Sequence, residues 1–168
     1  MKKIKTEHVV FALYLVVLLW IILFKTALSL DDIRMMAGER SINFIPFYYD
    51  NETSILFHKK EIILNILVFV PFGVCLKMLG ASFKKGIAIA ILSSVALEAV
   101  QLIFVIGNAD ITDVITNTLG AVAGLFIYLI AAKIFKNEEK LKKVVNIIAL
   151  VFLSIFIALM VLLIVANS

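Results

Sequence analysis

Long runs of apolar residues restrict what this chain can fold into. Residues 144–166, for example, include no charged side chain. A helix needs about 20 such residues to cross the ~30 Å hydrocarbon core of a bilayer. The whole chain is 63% hydrophobic, with a mean hydropathy of +1.11. Backbone polar groups inside a bilayer must be satisfied within their own segment, so these runs predict an all-α integral membrane protein.

The apolar runs predict five transmembrane helices in a single domain of residues 1–168. The first could instead be a cleaved signal peptide, because a basic start and an apolar run lead to Ala27-Leu28-Ser29. The apolar run of the first span is, however, long for a signal peptide. The single cysteine, Cys75, lies in an apolar run, and we expect it to serve packing. The predicted spans are 8–30, 61–81, 85–106, 113–133 and 144–166.

Lysines distinguish the two sides of the membrane. They cluster before the first span and in the turns after the second and fourth spans, whereas the 107–112 turn and the C-terminal tail have none. By the positive-inside rule, the N-terminus lies inside, and the 31–60 loop, the 107–112 turn and the C-terminus lie outside. The net charge of +4 reflects these signals and attraction to the lipid bilayer. No basic patch is interleaved with aromatics, so no nucleic-acid partner is expected.

Polar residues gather near the outer ends of three spans. Polar groups within a bilayer usually face the bundle interior or a watery cavity. We therefore expect an outward-facing polar pocket among spans two, three and four, covered by the 31–60 loop. The residues are Asn65 in span two, Glu98 and Gln101 in span three, and Asp110, Asp113 and Asn117 at the start of span four.

Structural explanations compete with this pocket. Asp110 or Thr112 could cap the N-terminus of span four. Asn65 and Gln101 could form interhelical hydrogen bonds, typically worth under ~2 kcal/mol each. Glu98 is the strongest functional candidate, because it lies about 12 Å below the outer end of its span at 1.5 Å per residue, where an acid needs a partner.

Two sequence motifs predict how the helices pack and bend. Gly120 and Gly124 form a GxxxG pattern, which predicts that another helix approaches span four closely. Pro71 lies in the middle of span two, where it removes a backbone hydrogen bond and predicts a kink.

The 31–60 loop, predicted to lie outside, contains a candidate binding residue with a positive charge. Arg40 is placed to pair with a carboxylate or to grip a phosphate, although a solvated surface arginine fits the sequence equally well. Pro46 predicts a turn in this loop. No catalytic motif and no Cys/His metal spacing occurs in the sequence, so no cofactor and no metal is assigned. Carboxylates with nearby amides could hold a hard cation, but only in a suitable geometry.

Three blocks of sequence resemble the VanZ-like membrane proteins. They are RSINFIPF from Arg40, NILVFVPFG from Asn65, and the stretch from SVALEAVQ at Ser94 to DITDVITNTLG at Asp110, and together they cover about residues 35–130. One departure is that Gly107-Asn108-Ala109 stands where family members often have an arginine. The resemblance implies a link to low-level resistance of Gram-positive bacteria to the lipidated glycopeptide teicoplanin, with little effect on vancomycin.

Two classes of function are consistent with these features. The first is a plasma-membrane protein whose outward-facing pocket binds a lipid headgroup, a lipid-linked cell-wall precursor or a lipidated glycopeptide. The alternative is an integral membrane enzyme that modifies a cell-wall lipid or surface polymer, with Glu98 or Asp113 as general base. A third interpretation makes the polar cluster a folding device. The predicted ligand-binding residues are Arg40, Asn43, Asn65, Glu98, Gln101, Asp110, Asp113 and Asn117.

Overall fold

A computed structural model describes residues 5–24, 41–48, 55–104 and 109–166, and this part of the chain is almost entirely helical. The second to fifth helices are long and apolar enough to cross a membrane, and the first is a shorter apolar helix. Residues 25–30 of the first predicted span lie outside the described residues. The elements are α1 (Thr6–Phe24), β1 (Ile42–Asn43), α2 (Ile55–Met78), α3 (Phe83–Phe104), β2 (Ala109–Asp110), α4 (Ile111–Phe135) and α5 (Glu138–Ala166).

Two helices begin earlier than the predicted spans, because polar turns at the membrane edge are also helical. α2 starts at Ile55 and not near Glu61. α5 starts at Glu138 and not near Val144, because Asn137 Oδ1 accepts the backbone N–H of Lys140 at 2.9 Å and caps the helix. The two short strands, which the all-α prediction did not include, pair in parallel.

α2 and α4 run parallel in the most extensive helix pair, and their backbones touch through glycines. A Cβ atom on Gly120 would lie 2.2 Å from the carbonyl oxygen of Ile66, and one on Gly124 would lie 2.0 Å from that of Val70. On α2, a Cβ on Gly73 would lie 1.9 Å from the carbonyl oxygen of Ala121. The predicted close approach at the GxxxG pattern is therefore confirmed, and its partner is α2.

Pro71 lies inside α2, which continues through it to Met78. Proline lacks the N–H that would bond a carbonyl in the preceding turn. In that turn, the Val68 carbonyl accepts a hydrogen bond from the Tyr14 hydroxyl of α1 at 2.5 Å. α1 thus supports the part of α2 that proline weakens, and the kink itself stays a prediction.

The buried apolar core lies where α1, α2, α3 and α4 meet. α5 contributes little to it and packs mainly on α1 and α4. Cys75 is buried in a smaller cluster with Met78, Tyr128 and Leu141, which agrees with its expected packing role. The main core consists of Tyr14, Leu18, Ile22, Phe69, Phe72, Leu76, Ala90, Leu97, Ala121, Leu125 and Leu153.

The glycine contacts predict the effect of adding a side chain. We expect Gly120→Val to lower the free energy of unfolding by about 2 kcal/mol or more, because the new side chain must displace backbone of α2. Denaturation of the purified protein in mixed micelles, followed by circular dichroism, measures the change. The control is Leu119→Val, one residue away at a position 51% exposed. Equal stability of the two variants would contradict the backbone contact.

Candidate functional site

The polar residues of α2, α3 and α4 meet at one end of the bundle, as predicted. Asn65 Nδ2 of α2 donates to Asp113 Oδ1 of α4 at 2.8 Å. Deeper in the bundle, Asn117 Nδ2 donates to Ser94 Oγ of α3 at 2.9 Å, and both of these residues are buried. Polar side chains therefore tie α4 to both α2 and α3.

Asp110 organises the start of α4. Its side chain accepts the backbone N–H of Thr112 at 2.7 Å, so Asp110 is the N-cap of the helix. Its own backbone N–H donates to Glu98 Oε2 of α3 at 3.0 Å. Its other carboxylate oxygen accepts Asn43 Nδ2 at 3.2 Å. Capping is thus confirmed for Asp110, and Glu98 serves as an acceptor for the turn that leads into α4.

Residues 41–48 lie against this end of the bundle. β1 and β2 align Asn43 with Asp110, and the backbone N–H of Phe47 donates to Thr112 Oγ1 at 3.0 Å. The predicted turn at Pro46 is present, since the Tyr48 N–H bonds the Ile45 carbonyl and Phe47 has a positive φ of 57°. This part of the 31–60 loop covers the start of α4. Arg40 and the rest of the loop lie outside the described residues, so the role of Arg40 stays a prediction.

Gln101 connects α3 with α1. Its Nε2 donates to the Ile22 carbonyl in the last turn of α1 at 3.0 Å. The side chain is only 2% exposed, and its Oε1 has no hydrogen-bond partner among the described residues. The sequence placed Gln101 in the pocket but did not indicate that α1 would contribute to it.

A pocket of about 200 Å³ lies beside these groups, between α1, α2, α3 and α4. One part of its wall carries amides and carboxylates, and the other part is aliphatic. Leu64 on its rim is 47% exposed. The lining residues are Ile21, Ile22, Lys60, Glu61, Leu64, Asn65, Gln101 and Asp113.

The predicted binding residues separate into groups with different positions. Those that line the pocket are Asn65, Gln101 and Asp113. Three others, Asn43, Glu98 and Asp110, join the loop to α3 and α4 and do not line it. Asn117 belongs to the buried pair with Ser94. The structure thus separates the predicted binding residues into those that line the pocket and those that join the neighbouring elements of the fold.

The sequence reasoning missed two charged residues of the lining, Lys60 and Glu61. Both lie about one helical turn before Asn65, so helix periodicity places Glu61 on the same face as Asn65. That spacing was an available signal. The predicted second span begins at Glu61, so this prediction places Lys60 in the 31–60 loop and Glu61 at the start of the span.

The chemistry of the lining is that of a binding site. Among the described residues, its polar side chains are two carboxylates, two amides and one ammonium group, with no hydroxyl or thiol nucleophile. Within the described ranges, no three His, Cys, Asp or Glu side chains come together as metal ligands. The lining can therefore bind polar groups next to aliphatic surface, and nothing in these ranges supports a divalent-cation site.

Comparisons with known proteins identify relatives of this chain. The VanZ/LLP1 family profile matches residues 11–134, which include most of α1, all of α2 and α3, and nearly all of α4. Protein VanZ from Enterococcus faecium is 35% identical over 147 residues, which cover 84% of this chain and 84% of that protein. No solved structure matches the chain significantly.

The contacts of Asp110 predict a graded response to mutation. We expect Asp110→Ala to destabilise the protein by about 1 kcal/mol, because the helix loses its N-cap. Asp110→Asn keeps a capping oxygen and should retain most of the stability. Thermal unfolding measures the difference, and amide hydrogen exchange should show faster exchange at Thr112 in the alanine variant. Identical behaviour of both variants and the parent would refute the capping role.

Proposed function

The chain belongs to the VanZ/LLP1 family, and from this membership and the site geometry we propose that it is a multi-pass protein of the bacterial plasma membrane that lowers susceptibility to lipidated glycopeptides such as teicoplanin. The observation that carries the proposal is the pocket in which Asn65, Gln101 and Asp113 meet the aliphatic side chains of Ile22 and Leu64. A mainly apolar site with a few polar groups suits a molecule that has both an apolar and a polar part.

We propose that the pocket end of the bundle faces outward. The turn from α2 to α3 lies at the opposite end and is followed by Lys84 and Lys85. The turn from α4 to α5 lies at that end too, with Lys133, Lys136 and Lys140 close by. Lysines in short turns favour the inner side of the membrane. With this orientation, the pocket opens on the side where glycopeptides meet lipid-linked cell-wall precursors.

In the proposed mechanism, the residues that line the pocket bind the ligand. Asn43, Glu98 and Asp110 keep the neighbouring loop and helices in place. Asn65 fixes one carboxylate oxygen of Asp113 and so holds this side chain in the lining. Polar contacts are stronger in such a low-dielectric setting than in water. Resistance would follow if the bound molecule, either the drug's lipid portion or a lipid-linked precursor, is kept from productive contact at the membrane.

The enzyme alternative has less support. Asp113 is the only predicted general base that lines the pocket, because Glu98 Oε2 accepts the N–H of Asp110 instead. The described lining offers no nucleophile to form a covalent intermediate. We therefore favour binding over catalysis for this site.

Drug susceptibility tests the proposal. In a sensitive Gram-positive host, we expect expression of the chain to raise the inhibitory concentration of teicoplanin but not that of vancomycin. Gln101→Leu and Asp113→Asn should return teicoplanin susceptibility to that of the empty host, because the first removes a polar group and the second removes a negative charge from the lining.

Controls make this experiment specific. Asn146→Leu changes another buried amide, on α5, which does not line the pocket, and it should retain the resistance. All variants are compared at equal membrane levels, measured by quantitative immunoblot. Resistance that survives both lining substitutions would reject the pocket as the working site, and an unchanged teicoplanin value for the parent chain would reject the family phenotype for this protein.

A further inference from the structure

We infer that residues 42–48 form a membrane-inserted loop, whose exposed apolar side chains enter the headgroup layer of the bilayer beside the start of α4. The partner of this surface is lipid. The inference concerns a different surface from the pocket, and it depends neither on the pocket's ligand nor on the side of the membrane that the pocket faces. It rests on the exposure of the loop, on the depth of its attachment points and on the contrast with the opposite end of the bundle.

The loop exposes apolar side chains in an almost continuous run. Residues 41–48 contain no charged side chain. Phe44 is 76% exposed, although phenylalanine in a soluble protein usually lies inside. Large apolar surface in contact with water is unfavourable, and a contiguous patch of it marks an interaction surface. The exposed large apolar residues are Ile42, Phe44, Ile45, Phe47 and Tyr48.

Hydrogen bonds attach one side of the loop to the bundle. Asn43 Nδ2 donates to the Asp110 carboxylate at 3.2 Å, and the Phe47 backbone N–H donates to Thr112 Oγ1 at 3.0 Å. Successive side chains of a strand point to opposite sides. Because Asn43 points towards Asp110, its neighbour Ile42 in β1 points away from it. The loop thus has a polar side that is bonded to the start of α4 and an apolar side that is exposed.

Helix length places these attachment points at the edge of the hydrocarbon core. At 1.5 Å per residue, a core of ~30 Å takes about 20 residues of helix. An exposed lysine lies at or beyond the edge of that core. Lys133 is exposed in the last turn of α4, and about 20 residues before it lies Asp113, next to Thr112. In α3, the same length counted from the exposed Lys85 reaches the end of the helix at Phe104. The loop is therefore attached where the headgroup layer begins, a layer about 5–8 Å thick on each side of the core.

The connections at the opposite end of the bundle expose different residues. Lys136 and Asn137 are exposed in the turn from α4 to α5, and Lys84 and Lys85 are exposed at the start of α3. Such residues suit contact with water and with lipid phosphates. Residues 41–48 instead expose aromatic and aliphatic side chains, and aromatic residues are enriched in the headgroup layer of membranes. The two ends thus suit different surroundings, and those of the loop are lipid.

Insertion gives the loop a second attachment and connects the bilayer to the cap of α4. One side of the loop is bonded to Asp110 and Thr112 at the start of α4, and the other side lies in lipid. The depth of the loop then sets the depth at which α4 begins. An apolar run this short cannot cross the hydrocarbon core. Charged residues flank it in the sequence, Arg40 before and Asp50 after, and such charges keep a short run at the surface of the bilayer.

A tryptophan placed in the loop tests the inference. Trp20 is the only tryptophan of the chain, so Trp20→Phe provides a background without tryptophan. In that background, Phe44→Trp and Ile45→Trp report on the loop at two exposed positions. The matched control is Glu139→Trp, at an exposed position in the first turn of α5 at the opposite end. The full-length variants are placed in lipid nanodiscs, where both faces of the bilayer meet solvent. Fluorescence is quenched with acrylamide, a neutral quencher in the water, and with phosphatidylcholine brominated on its acyl chains close to the headgroup.

We expect the acrylamide quenching constant of Phe44→Trp to be about a tenth of that of Glu139→Trp, because moving one large aromatic side chain out of water favours insertion by about tenfold or more. Brominated lipid should quench Phe44→Trp strongly and Glu139→Trp weakly, and Ile45→Trp should behave like Phe44→Trp. Acrylamide quenching of both loop variants as strong as that of the control would overturn the inference, because the loop would then lie in water. Weak quenching by acrylamide and by brominated lipid alike would also overturn it, because protein and not lipid would then cover the loop.

Discussion

The backbone contact between α2 and α4 is the constraint on which the site depends. Gly120 and Gly124 leave no space for a side chain against the carbonyls of Ile66 and Val70, so the two helix axes lie unusually close together. Asparagine and aspartate are short side chains and can bond directly across only a narrow interhelical gap. The hydrogen bond between Asn65 and Asp113 at the end of this pair is therefore a consequence of the glycines below it.

A second set of polar contacts fixes the remaining parts of the site around that pair. Glu98 and Asp110 hold the turn between α3 and α4, and Asn43 attaches residues 41–48 to it. These contacts pair charged or polar groups with backbone N–H groups or with one another, which offsets the loss of water at this depth. The residues that make these contacts are thus separate from the residues that line the pocket. A substitution that removes one of these contacts should change the stability of the protein more than it changes what the pocket binds.

Much of the architecture could be predicted from the sequence, because it follows from apolar run length and short connections. Consecutive spans joined by short turns must alternate in direction, so the end of α3 and the starts of α2 and α4 had to lie on one side. The GxxxG pattern at Gly120 and the cap at Asp110 are local signals, and both predictions were confirmed. The phenotype and the orientation of the helices in a membrane stay predictions.

The individual partners in the site could not be predicted, because they depend on helix rotation and loop path. Glu98 looked catalytic by its depth alone, yet its contact is a backbone N–H at Asp110, which becomes visible only when the turn is folded. Ile21 and Ile22 carry no polar signal, so their place in the lining depends on how α1 packs. Lys60 and Glu61 lie at the predicted boundary of the second span, where the sequence does not show that their side chains face the pocket.

The position of the pocket within the bundle follows from these differences in packing. Where α2 and α4 are in backbone contact, no cavity can form, and where α1 meets the start of α2 the side chains are larger and the fit is looser. The pocket lies at that transition, where Asn65 and Asp113 reach it from the tightly packed pair and Gln101 reaches it from α3. The α2–α4 pair thus supplies polar groups held in fixed positions, and α1 supplies aliphatic side chains of the pocket lining.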